Sequence, residues 1–89
     1  MSTEAREDRY QEILEGLYAM LARFPTRNIE LEEQTDLVAD MGLDSINVME
    51  LLQEIEDRFD IIVPLNVMSD VRTVRDLVIQ VQRLIRENS

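Results

Sequence analysis

The 89-residue chain reads as an all-α protein: a four-helix bundle of three main helices and one short helix, with a long loop between the first and second. Three observations carry that reading. Apolar residues recur at spacings of three and four through three separate segments; glycine and proline number only two each; and hydrophobic residues make up 45% of the chain, too many for a disordered polymer. A chain of this size supports one modest core, so residues 1–89 are expected to form a single domain.

The first helix is expected from Thr3 to about Arg23, with Tyr10, Ile13, Leu14, Leu17, Leu21 and Phe24 along one stripe. Ser2 or Thr3 can cap its start, and Pro25 with Thr26-Arg27-Asn28 stops it. Residues 25–44 follow neither the helical nor the strand period, yet Ile29, Leu31, Leu37, Val38 and Met41 recur like anchors dropped into a core. This is a long pinned loop, and such loops are often functional. Asp44 is a good N-cap for the second helix, which turns Val48, Leu51, Leu52, Ile55 and Phe59 inward. Its opposite face carries Ile46, Met49, Glu50, Gln53, Asp57 and Asp60. Leu65 to Asp70, entered by Pro64 and broken at Ser69-Asp70, holds one or two turns. Thr73 with Asp76 forms a capping-box variant for the last helix, where Val74, Leu77, Val78, Val81, Leu84 and Ile85 supply an apolar stripe through about Arg86.

Charge narrows the function. Nineteen Asp and Glu oppose nine cations, every one an arginine, for a formal net charge of −10. Nucleic acid and anionic membrane surfaces are therefore opposed as partners, and a basic protein surface is favoured. The absence of His, Lys and Cys removes the imidazole base, the Schiff-base amine, the thiol nucleophile and the usual zinc ligands, so self-contained catalysis is not expected. No apolar run approaches the roughly 18 residues of a membrane span, and the segment Met1 to Asp8 lacks signal-peptide character. The expected setting is the cytoplasm.

The informative string is Asp40-Met41-Gly42-Leu43-Asp44-Ser45-Ile46, which puts a serine in the first turn of the second helix directly after the long loop. Local pattern alone is equally satisfied if Ser45 merely starts a helix and Gly42 supplies a turn. Self-activated hydrolysis fails for want of a base, and the glycine-flanked serine elbow is missing. Asp36, Asp40, Gly42 and Asp44 lack calcium-loop spacing. The third nucleophile reading, beside the plain helix start, is that Ser45 is a substrate, modified by an enzyme that brings its own base and metal. A phosphodiester formed there would lie at a helix N-terminus, where backbone amides and the dipole favour an anion.

That string, followed by Glu50-Leu51, Ile55-Glu56, Phe59-Asp60 and Val63-Pro64, resembles the acyl carrier proteins of fatty acid and polyketide synthesis; the likeness runs from about Ile29 to Ile85. The resemblance implies a bundle of the acyl-carrier type and a 4′-phosphopantetheine arm, transferred from coenzyme A onto Ser45 by a phosphopantetheinyl transferase. It implies that Asp44 and Gly42 help present Ser45, and that Ile46, Met49, Glu50, Glu56 and Asp57 meet basic docking patches on acyl-loading and acyl-consuming enzymes. It also implies a monomer that carries cargo rather than catalysing, with the core residues Leu51, Leu52, Ile55, Phe59, Val63, Val74, Leu77, Val78 and Val81 as the lining of any acyl tunnel.

Several positions depart from the housekeeping pattern of that family. Asn47 stands where an acidic residue is usual, Gln53 replaces an apolar contact, Arg58 puts a cation on the acidic helix, and Ile61 and Ile62 extend an apolar run. These departures point to a specialised carrier in a dedicated lipid or polyketide pathway. The rival readings are a peptidyl or aminoacyl carrier, which differs in cargo, and an unmodified acidic helical adaptor. Whether Ile61, Ile62, Val67 and Met68 form an exposed patch or pack inward is left for the structure.

Overall fold

A computed structural model describes residues 2–24 and 30–87, with side chains from residue 9 onward. Three α-helices, α1 (Ser2–Leu21), α2 (Ser45–Phe59) and α3 (Val74–Glu87), are joined by the long loop and by a short 3₁₀ helix at Leu65–Asp70. The order and type of all four elements follow the sequence reading. The side chains of Ser2 and Thr3, expected to cap this helix, are not among those described, and the turn at Pro25 to Asn28 and the anchor Ile29 lie outside the described residues.

The stripes on the helices meet in one core. Ile13, Leu14, Leu17 and Leu21 of α1, Leu51, Leu52 and Ile55 of α2, and Val74, Leu77, Val78 and Val81 of α3 are buried together, with Ile61 and Val63 from the segment after α2. Met20, outside the expected stripe, is buried as well, whereas Tyr10, Phe24, Val48, Phe59, Leu84 and Ile85 sit half-buried at its margins. α1 packs mainly against α3 and less against α2.

One glycine eases the looser seam. A Cβ at Gly16 would come within 3.0 Å of Arg58 Nε and 3.4 Å of the Phe59 ring, so the end of α2 lies close against α1 there. Arg58 is exposed and flexible and can shift, while glycine inside a helix costs about 1 kcal/mol relative to alanine. Gly16→Ala is therefore expected to raise the midpoint of thermal unfolding by a few degrees. A fall in the midpoint would show that Arg58 and Phe59 cannot yield.

The loop is held as firmly as its anchors suggested, though not by all of them. Leu37, Met41 and Leu43 are buried and Leu31 half-buried, but Val38 is 64% exposed and is no anchor. Its position in the turn explains this. The Asp36 carboxylate accepts from the N–H groups of Val38 and Ala39 at 2.9 and 2.7 Å, and the Asp40 carboxylate accepts from Asp36 N–H at 2.8 Å. Residues 36–41 thus form one capped turn that sends Leu37 and Met41 inward and Val38 out. The turn ends at Gly42, whose φ of 74° lies in the left-handed region and whose N–H donates to the Val38 carbonyl at 2.9 Å.

This loop also starts α3. Val74 N–H donates to the Thr35 carbonyl, Arg75 N–H to the Glu33 carbonyl, and Leu37 N–H to the Arg72 carbonyl. The capping box read from Thr73 and Asp76 is present, each side chain accepting from the other's N–H at 3.1 Å. At the loop's other end the Tyr10 hydroxyl donates to the Glu33 carboxylate, and burial, then that bond and its charge, push the phenol up to about 12.

Two carboxylates in this stitching make it acid-sensitive. Backbone N–H donors hold the Asp36 and Asp76 carboxyls below their ordinary value of 3.8, and Arg72 adds to both. A depressed folded value means the unfolded chain binds protons first, so the stabilisation is fully present above pH 3.8 and is lost as pH falls through the lower folded values. An Asp36→Asn, Asp76→Asn variant is expected to melt below wild type at neutral pH, with the gap closing under acid below about pH 4. A gap that stays constant down to pH 2 would show that these carboxylates do not carry the effect.

Candidate functional site

Ser45 is the first residue of α2 and is exposed. Its placement follows from the residues on either side. Leu43 is buried and fixes the chain just upstream, and Asp44 caps the helix. Asp44 Oδ1 accepts from Asn47 N–H at 2.8 Å, and the Asn47 side chain accepts from Asp44 N–H at 3.3 Å. The asparagine that departs from the family pattern therefore completes a reciprocal capping box. Sequence reasoning saw Asp44 as a cap but missed this partner, although an amide three residues after the cap is a readable signal.

The helix end is partly saturated. Asn47 N–H is taken by the Asp44 side chain and Val48 N–H by the Asp44 carbonyl at 2.9 Å. The N–H groups of Ser45 and Ile46 meet no acceptor among the described residues. Two donors and the positive end of the helix dipole thus stand beside the serine hydroxyl. The other small hydroxyls with described surroundings are engaged: Thr35 is buried and accepts from Glu32 N–H at 2.8 Å, Ser69 donates to the Asn66 carbonyl at 2.7 Å, and Thr73 caps α3.

Around Ser45 the outward face of α2 is as its periodicity suggested. Ile46 and Met49 are 68% and 55% exposed, and Glu50, Gln53, Asp57 and Asp60 are exposed behind them. At 1.5 Å rise per residue, this face runs about 18 Å from Ser45 to Asp57. Glu56 differs from Glu50 and Asp57. It is half-buried, and its Oε2 accepts from Val63 N–H at 2.9 Å, so its carboxylate holds the chain leaving α2. Asp60 ends the helix with φ 55°, a left-handed conformation that Asp tolerates. Asp36 and Asp40, acidic neighbours in sequence, are engaged in the loop: Asp36 Oδ1 and Asp40 Oδ2 accept from backbone N–H groups, and Asp36 Oδ2 pairs with Arg72. Among the described residues no group of three or more Asp and Glu is placed to hold a metal ion.

The bundle thus presents one exposed serine at a helix N-terminus, flanked by apolar and then acidic side chains. Comparison with known proteins gives this arrangement a family. The family model for the phosphopantetheine attachment site matches residues 15–81. The meromycolate extension acyl carrier protein of Mycolicibacterium aurum is 32% identical over 81 residues, covering 88% of this chain and 81% of that protein. An acyl carrier protein of a Sulfurovum species is 37% identical over 49 residues, 55% of this chain and 65% of that one. A protein of Caulobacter vibrioides described as a probable acyl carrier protein is 35% identical over 51 residues, 57% of this chain and 59% of that one. The matches to these last two span less than two thirds of those proteins. The chain belongs to the acyl carrier protein family, whose prosthetic group is phosphopantetheine. Members of that family are carriers rather than catalysts and meet a phosphopantetheinyl transferase and acyl-handling enzymes. No helix among the described residues is long and apolar enough to cross a membrane.

Proposed function

We propose that Ser45 is the residue that receives the 4′-phosphopantetheine arm, and that the holo protein carries acyl chains in a specialised lipid or polyketide pathway of the cytoplasm. The observation that carries this reading is the exposed Ser45 hydroxyl beside two N–H groups of the α2 N-terminus. The residues present fit the group: a phosphodiester there meets backbone donors and the positive helix end. In the transfer, Ser45 Oγ forms a bond to the β-phosphorus of coenzyme A, the pyrophosphate P–O bond breaks, and adenosine 3′,5′-bisphosphate leaves. The serine proton passes to a base on the transferase, since this chain has no His or Lys. Once bound, the arm supplies the thiol that a cysteine-free chain lacks.

This chain's own residues then do the presenting. Asp44 and Asn47 hold the helix start, Gly42 and Leu43 hold the loop before it, and the cap uses only Oδ1 of Asp44, which leaves its carboxylate charge beside Ser45 for the transferase to meet. Glu50 and Asp57 steer basic docking patches, while Ile46 and Met49 make the apolar contact beside the serine. Acyl rather than aminoacyl cargo is supported by the acidic α2 face and by similarity along 88% of the chain to a carrier named for meromycolate extension. Intact mass before and after incubation with coenzyme A and a broad-specificity transferase tests the reading. A gain of one phosphopantetheine supports it. No gain in folded, initially unmodified protein leaves an acidic adaptor.

A further inference from the structure

The run Ile61-Ile62-Val63-Pro64-Leu65 has more apolar surface than the core uses. Its extended backbone alternates its side chains: Ile61 and Val63 are buried, whereas Ile62 is 76% and Leu65 64% exposed, with Pro64 exposed between them. Val67 and Met68 pack half-buried against the core, so the exposed part is confined to these three residues.

The backbone is pinned on both sides of the display. The Glu56 carbonyl accepts from the N–H groups of Asp60 and Ile61, its carboxylate accepts from Val63 N–H, and the Pro64 carbonyl accepts from Val67 N–H at 3.0 Å. An apolar ledge fixed in this way loses little conformational entropy on docking. Its surroundings are acidic. Asp57 and Asp60 precede it and Asp70 closes the 3₁₀ helix, all exposed, while the nearby cations are turned elsewhere: Arg58 lies across Gly16 on α1, and Arg72 pairs with Asp36 at 3.4 Å.

We propose that Ile62, Pro64 and Leu65 form a second docking ledge, which selects an acyl-handling enzyme whose surface carries a shallow apolar pocket edged by arginine or lysine. The proposal rests on the carrier reading above. A second copy of this chain is the wrong occupant, because it would bring Asp57, Asp60 and Asp70 against their equivalents on a protein of net charge −10. The ledge is also small, which suits a partner that must be released after each transfer. Glu56 is its positioning residue.

The test compares wild type with an Ile62→Ser, Leu65→Ser variant as substrates for three purified enzymes of the source organism: the transferase, an acyl-loading ligase and a condensing enzyme. The expected result is a KM raised about tenfold for the ligase or the condensing enzyme, with kcat unchanged and the transferase KM within about twofold. The tenfold loss is expected at about 50 mM and about 500 mM salt alike, whereas the loss from Asp57→Asn with Asp60→Asn disappears at the higher salt. If the double variant melts lower than wild type, Ile62→Thr, which keeps the branched shape, replaces it. Unchanged KM values for both acyl-handling enzymes overturn the ledge while leaving the carrier reading intact. Wild-type self-association that the variant abolishes makes a second copy the occupant and also overturns it. A wild type that never accepts the arm removes the carrier reading and the ledge together.

Discussion

Ser45→Ala protein incubated with coenzyme A and a transferase is expected to keep the mass of its unmodified chain, while wild type gains one arm. The effect is all or none because nothing else described in the molecule can substitute. Thr35 is buried, Ser69 is bonded to the Asn66 carbonyl, and Thr73 is committed to capping α3. Folding is expected to survive, since alanine suits the first helical position and the Asp44 and Asn47 capping box remains. Thermal unfolding should then differ from wild type by no more than about 0.5 kcal/mol. Asp44→Asn separates the two roles of the cap: asparagine caps as well as aspartate, so stability holds, but the loss of its carboxylate is expected to slow modification. A mass gain in Ser45→Ala would move the site to another hydroxyl.

Ile55→Ala is expected to produce the largest loss of stability available to a single conservative change in α2. Ile55 is fully buried in the C-terminal half of α2, on the same face as Leu51 and Leu52 and in one core cluster with the stripes of α1 and α3. Truncating a buried isoleucine costs about 2–5 kcal/mol. At roughly 0.05–0.15 kcal/mol per residue, a chain of this length holds only about 4–13 kcal/mol in total. The thermal midpoint should fall by about 10 °C or more, and further at low salt, where the net charge of −10 is unscreened. Ile62→Ala is the internal control: the same side chain, removed from a 76% exposed position, is expected to change stability by no more than about 0.5 kcal/mol. Equal shifts in the two variants would contradict the burial described for them.

The contrast between those two isoleucines marks the boundary of what could be read without coordinates. Helix existence, order and type were legible because α1, α2 and α3 each repeat apolar residues at helical spacing, and the caps at Asp44 and Thr73 are local chemistry within four residues. Ser45 was legible for the same reason, as one position in a short contiguous string. The loop was harder. Leu37 and Val38 are both apolar neighbours in it, yet one is buried and the other exposed, because the Asp36 and Asp40 carboxylates fold residues 36–41 into a capped turn with no period to read.

What the chain's own pattern determined, then, is the helical bundle, the cap and presentation of Ser45, and the outward acidic face of α2, since each depends on residues within one or two turns of one another. What only the tertiary structure decided is which apolar residues outside the helices are inside. Ile61 goes in and Ile62 goes out because Glu56 reaches seven residues along the chain to hold Val63 N–H. The start of α3 is likewise completed by carbonyls of Thr35 and Glu33, some forty residues earlier, and Gly16 matters because Arg58 crosses it from another helix. Such pairings depend on distances in space rather than on spacing in sequence, so no periodicity records them.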